Sequence, residues 1–110
     1  MAGDLGNNLK SLSYDSKADA AYAYGHGEKV SRTVEVNDNV FMDVSSKGHI
    51  VGIEILNAKT FLSKVLGIQL NADELEKIQY EVDEQPGICL HLRFGQKQAS
   101  VVLPSRPLRA

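Results

Sequence analysis

Hydrophobic and polar positions alternate with a period of two through most of the chain, the spacing of strands that bury one face. Ala18, Ala20, Tyr22 and Tyr24 share one face of such a strand and the small Ala21 and Ala23 the other, before Gly25-His26-Gly27-Glu28 makes a turn. From Val30 the alternation resumes through Thr33-Val34-Glu35-Val36, pauses at the turn-prone Asn37-Asp38-Asn39, and continues in Val40-Phe41-Met42-Asp43-Val44. Two strands across a tight turn, or one bulged strand, both satisfy this pattern. After the Ser45-Ser46-Lys47-Gly48 turn signal comes the most apolar strand, His49 to Leu56, predicted to run centrally. Strict alternation puts Ile50, Gly52, Glu54 and Leu56 on one of its faces and Val51, Ile53 and Ile55 on the other, with a close backbone approach expected at Gly52.

Helical spacing appears twice. Asn57 is placed to cap a helix whose Phe61, Leu62, Val65 and Leu66 form one stripe and whose end is set by Gly67. Asn71 with Glu74 three residues on has the form of a capping box, with Leu75 and Ile78 as the buried stripe of a second short helix. Tyr80 and Val82 then open another extended segment. Pro86-Gly87 turns the chain into Ile88, Leu90, Leu92 and Phe94 alternating with Cys89, His91 and Arg93, and Gly95 to Gln98 closes a hairpin to Ala99–Leu103. The pattern predicts an α+β fold: a small antiparallel β-sheet meander with two short helices and a C-terminal β-hairpin. Residues 1–11 are expected as a flexible arm, 12–103 as a single β-rich domain and 104–110 as a flexible tail.

Composition narrows the function classes. The 110 residues are 43% hydrophobic and 24% charged, ordinary values for one folded core. A formal charge of -2, with Lys and Arg scattered singly, provides no basic stripe for nucleic acid. The N-terminal residues lack the basic and apolar regions of a signal peptide, and no apolar run approaches the ~20 residues that span a bilayer. With Cys89 as the only cysteine, an intramolecular disulfide is excluded, and a cytoplasmic location is expected.

Candidate chemistry is sparse. Asp15, Asp19, Asp38, Asp43 and Glu54 would hold a hard cation only if their turns converged, and no loop has EF-hand spacing. Turn chemistry accounts better for Asp15, whose carboxylate is expected to accept backbone N–H bonds. His26, His49 and His91 occupy separate turns and strands without HxH or HxxxH spacing, so each is expected to face solvent and no metal or other cofactor is predicted. Cys89 and His91 share a strand face, but positions two apart lie about 6–7 Å from each other, too far for a direct hydrogen bond by backbone spacing alone. No catalytic residue is therefore assigned. Tyr22 and Tyr24 suit either an aromatic binding platform or core packing.

Three segments together carry a family resemblance. They are Tyr14-Asp15-Ser16-Lys17-Ala18-Asp19-Ala20-Ala21-Tyr22-Ala23-Tyr24, the acidic valine-rich Thr33-Val34-Glu35-Val36-Asn37-Asp38-Asn39-Val40, and Gly48-His49-Ile50-Val51-Gly52-Ile53-Glu54-Ile55-Leu56-Asn57-Ala58. The stretch from Tyr14 to Ala58 resembles a small bacterial family, domain of unknown function 2283. The resemblance implies a compact β-rich fold, often encoded beside small toxin-like proteins, and brings no reaction or catalytic residue with it. It divides the domain into a family-like core, 12–69, and a helix-plus-hairpin extension, 70–103.

A small sheet leaves edges that must be covered, and homodimerisation covers them economically. The expected function is thus a non-enzymatic protein–protein interaction module, oligomeric and an antitoxin-like or inhibitory partner of another protein, contacting itself or a small toxin-like protein through Tyr22, Tyr24, Leu90, Leu92 and Phe94. Two alternatives stand beside it: a phage-encoded inhibitor whose acidic surface occupies a host complex, and a divalent-metal-dependent binder or enzyme built on Asp15, Asp19, Glu54 and a histidine.

Overall fold

The computed structural model describes residues 9–84 and 87–103. Of the flexible arm expected over residues 1–11, residues 1–8 lie outside the described residues and Lys10–Ser11 is instead a paired strand; the Pro86 half of the Pro86-Gly87 turn and the 104–110 tail also lie outside the described residues. The described elements run β1 (Lys10–Ser11), β2 (Ser13–Asp15), β3 (Ala20–Tyr24), β4 (Arg32–Glu35), β5 (Val40–Val44), β6 (Ile50–Leu56), α1 (Ala58–Leu66), α2 (Ala72–Leu75), β7 (Gln79–Asp83), β8 (Ile88–Phe94) and β9 (Lys97–Leu103).

Instead of one meander there are two antiparallel sheets, ordered β2-β3-β6-β5-β4 and β1-β7-β8-β9. The split is made at Leu12. Its side chain is buried and its N–H donates to the Ile78 carbonyl at 2.9 Å, so Lys10–Ser11 pairs with Tyr80 and Gln79 while Ser13–Asp15 pairs across to β3. One continuous extended segment therefore serves both sheets. The extension beyond Leu70 does not lengthen the first sheet; it builds most of the second.

Each sheet has one apolar face, and α1 touches strands of both. Ala21, Ala23, Val40, Met42, Ile53 and Ile55 from the first sheet and Tyr80, Ile88, Leu90 and Leu92 from the second close on Leu62 and Leu66 of α1. Tyr80 ties the layers with polar contacts as well. Its hydroxyl accepts from the Tyr24 N–H at 2.7 Å and donates to the Tyr24 carbonyl at 3.0 Å, satisfying backbone groups of β3 from the other sheet.

Strand β6 runs centrally, as its apolar run predicts, but a bulge alters its faces. The register passes from Asp43↔Gly52 to Val44↔Ile50, leaving Val51 as the extra residue. Ile50 is thereby turned into the core with Ile53 and Ile55, against strict alternation, and Val51 is only half-buried. Asn37 Oδ1 accepts from the N–H groups of Asn39 (2.7 Å) and Val40 (3.0 Å), so the two-strand reading of this region holds, with β4 and β5 as a hairpin.

The helix termini divide. Asn71 and Glu74 form the expected reciprocal capping box on α2, and Gly67 ends α1 at φ 73°. Asn57 does not cap α1: it sits at φ 52° without a side-chain cap bond. The first N–H groups of α1 are met by Asp19, whose carbonyl accepts from Ala58 at 3.0 Å and whose Oδ1 accepts from Lys59 at 3.0 Å. A cap supplied across the sheet leaves no local sequence signature.

Candidate interaction edge and polar clusters

The N-terminal acids are occupied by the chain itself. Asp15 Oδ1 accepts from the Lys17 N–H at 3.0 Å and lies 3.4 Å from that of Ala18, the expected turn contact between β2 and β3. Asp19 caps α1 and also accepts from the Tyr14 hydroxyl at 2.8 Å. Asp43 belongs to a separate network on the outer face of the first sheet. There Tyr22 Oη donates to Oδ2 at 2.5 Å and Thr33 Oγ1 to Oδ1 at 2.6 Å. Asp15, Asp19 and Asp43 thus serve turns, a helix cap and a face network, each explained by backbone or hydroxyl partners.

Tyr22 is half-buried and lies over Gly52, its ring edge-to-face with Tyr24 at a centroid distance of 4.7 Å. What approaches Gly52 closely is this phenol rather than neighbouring backbone. Tyr24 is the exposed member of the pair, at 55%. Burial and then the Asp43 hydrogen bond push the Tyr22 hydroxyl above the ordinary tyrosine range; burial and then Asp19 push Tyr14 up to about 12. Both shifts favour the folded state while the phenols are protonated. The unfolded chain releases these protons near pH 10 and the folded chain retains them, so stability should hold below pH ~10 and fall above it. Urea midpoints measured from neutral to strongly alkaline pH should show this decline, and Tyr22→Phe should make it shallower.

The histidines gather more than their sequence spacing suggests. His26 follows β3, and its N–H bonds the Ile50 carbonyl at 2.8 Å, which sets it beside His49 at the start of β6. The two imidazoles stack with centroids 4.4 Å apart and planes 18° from parallel. Both carboxylate oxygens of Glu28 lie 3.1 Å from His49 Nδ1, and Glu84 Oε2, just past β7, lies 2.9 Å from His26 Nε2. Hydrogen bonds from Ser45 and then His49 hold the Glu28 carboxyl below the usual carboxylate range. The buried Ser45 also accepts from the His49 N–H at 3.2 Å, fixing the turn that presents this ring. A cavity of about 280 Å³ opens alongside, lined by Lys10, Tyr24, His26, Tyr80 and Glu84 among others. His26 and His49 are partly exposed, as expected, but they are not separate: the pairing of β3 with β6 joins residues 23 apart, a contact no local spacing reveals.

Cys89 Sγ and His91 Nδ1 are 3.8 Å apart, closer than their positions along the strand imply because the side chains lean together. The same Nδ1 has a shorter contact, 2.9 Å, with Ser100 Oγ on β9. His91 is thereby engaged as a cross-strand partner on the outer face of the second sheet.

The hairpin residues expected at an interface separate into two groups. Leu90 and Leu92 are buried, and Phe94 packs against the same core from a half-buried position. Leu90 and Leu92 are therefore unavailable to a partner; the alternating face assigned to an interface is the one that fills the domain. The accessible part of the hairpin is its second strand. Gly95, at φ 61°, opens a two-residue turn between Phe94 and Lys97, so β9 starts at Lys97 and pairs with β8 through seven consecutive positions to Leu103. Val102 on its outer face is 79% exposed.

Strand β9 also forms one border of the second sheet, and the other borders differ from it. Strands β1, β2 and β4 have two, three and four residues, against seven in β9. Strand β4 carries Arg32 and Glu35 at its ends, whereas β9 has one charge, Lys97, at its first position and no register shift. Short length, charge and bulges are the usual protections of an edge, and β9 has little of any.

The segment carrying the Tyr14, Asp19 and Gly52 contacts is the one that comparison recognises. Residues 12–59 match the family model described as Protein of unknown function (DUF2283). The DUF2283 segment ends one residue into α1 past Ala58, so it comprises β2 to β6 and the Asp19-capped helix start. Strands β7, β8 and β9 fall outside it. No curated protein and no solved structure matches the chain. No helix among the described residues is long and apolar enough to cross a membrane.

Proposed function

We propose that this protein is a non-enzymatic interaction module that associates with a second copy of itself by antiparallel pairing of β9 edges. The observation that supports this is the long, regular, nearly uncharged β9 edge, next to which no other strand pairs among the described residues. Backbone N–H and C=O groups along such an edge are a template for another strand, and side chains such as Val102 add apolar contact. Pairing centred on Ser100 would set residue 98 opposite residue 102 of the second copy, with neither position charged. An extended segment of an antitoxin's or inhibitor's target protein would use the same groups, in a cytoplasmic setting that suits the lone Cys89.

Light scattering on the purified chain should give the mass of a dimer. The double substitution Gln98→Lys and Val102→Lys places like charges across the pairing and should yield a monomer with an unchanged far-ultraviolet spectrum. A wild-type chain that remains monomeric at the highest attainable concentration, or a dimer indifferent to both lysines, would overturn the β9 reading.

A further inference from the structure

We infer that His26, Glu28 and His49 form a binding site for a divalent transition metal of the zinc class, with Glu84 positioned as a fourth ligand or as the group that orients His26. The three named residues bring their donor atoms within 4.8 Å of one another, from the turn after β3 and the turn before β6. The 3.1 Å between His49 Nδ1 and the Glu28 oxygens is near the ~3.3 Å that separates two ligands of a tetrahedral ion with 2.0–2.1 Å bonds. A metal entering there replaces one N–H···O contact by two metal bonds and needs only small side-chain movement. His26 comes within reach by a rotation of its exposed ring.

The donor set selects the metal. Two imidazoles with one or two carboxylates match zinc, cobalt or nickel, whereas magnesium and calcium take oxygen ligands. The charge balance points the same way. The cluster holds the two carboxylates of Glu28 and Glu84, with Lys47 acting on Glu28 and Lys10 lining the adjoining cavity. A divalent cation bound to both rings would also offset the Glu28 and Glu84 carboxylates beside them. Groups that orient these ligands are also present: Ser45 bonds Glu28 and holds the His49 backbone. Because Glu84 belongs to the β7 side and the other ligands to the first sheet, a bound ion would join the two sheets at the mouth of the cavity.

The test uses the full chain, stripped of metal and titrated with zinc chloride alone. One zinc per chain is expected by calorimetry and elemental analysis, with a rise in melting temperature that grows with zinc concentration. His49→Ala and His26→Ala should each weaken binding roughly tenfold or more, while His91→Ala and Cys89→Ser should leave it unchanged. Cobalt(II) in place of zinc should give visible absorption bands that His26→Ala abolishes. His26→Ala serves where His49→Ala perturbs the turn, since the His26 side chain is exposed. Absence of zinc binding, or binding that survives both His26→Ala and His49→Ala but is lost in His91→Ala, would overturn the assignment.

Discussion

Replacing Leu92 by alanine is expected to lower the unfolding free energy by about 2–5 kcal/mol and to leave the association state of the remaining folded protein unchanged. Leu92 is fully buried, and its strand is flanked by β7 through Tyr80 and by β9 through Ala99. Both neighbours are held in register by strand pairing, so the space left by the lost Cγ, Cδ1 and Cδ2 cannot collapse fully and the cavity adds to the lost transfer energy. Against a total stability of about 5–15 kcal/mol for a domain this size, that loss is large. An interface leucine would behave in the opposite way, with stability retained and assembly impaired. Chemical denaturation of Leu92→Ala beside light scattering distinguishes the two, and a variant with wild-type stability that no longer dimerises would return this residue to the interface.

The same residue shows what the chain's pattern could and could not reveal. Alternation placed Ile88, Leu90, Leu92 and Phe94 on one strand face, which the structure retains, but a period of two cannot say whether that face meets its own core or another molecule. Burial of Leu90 and Leu92 depends on a second sheet folding over α1, a non-local event. Local signals did better: the Asn71–Glu74 capping box, Gly67, the Asn37 turn and the Asp15 turn all stand where the sequence puts them. Each is made by residues within a few positions of one another.

Partners far apart in sequence leave no such local mark. Asn57 has the composition of an N-cap, yet the cap comes from Asp19, 38 positions earlier. The bulge at Val51 turns Ile50 inward, and the pairing of β3 with β6 brings His26 to His49. The branching of one extended segment into both sheets at Leu12 likewise needs the Ile78 carbonyl, which no pattern around Leu12 announces. The candidate metal ligands therefore emerge from topology, while the acids that looked most like ligands turn out to hold the turns and helix that build that topology.

Gly52→Ala is expected to destabilise the protein by about 1–3 kcal/mol, although alanine in place of glycine within a strand ordinarily helps by about 0.5–1 kcal/mol. The reason is Tyr22. A Cβ at position 52 would fall inside the contact distance of the ring's Cζ and Oη, so the phenol must leave its place. It has little room to shift sideways, since Tyr24 stands 4.7 Å away on the same strand and Glu54 is its cross-strand neighbour. Swinging outward breaks the 2.5 Å bond to Asp43, leaving that carboxylate with Thr33, and hydrogen bonds to charged groups carry about 1.5–3 kcal/mol. In a Tyr22→Ala background the obstruction is gone, so Gly52→Ala should become neutral or stabilising, and the double-mutant cycle should show a coupling above about 1 kcal/mol. The alkaline titration supplies an independent check, because a displaced Tyr22 loses both burial and Asp43 and its ionisation should fall back toward pH ~10. Equal effects of Gly52→Ala with and without Tyr22 would show that the glycine answers to backbone demands instead, and that the phenol rests on it without constraint.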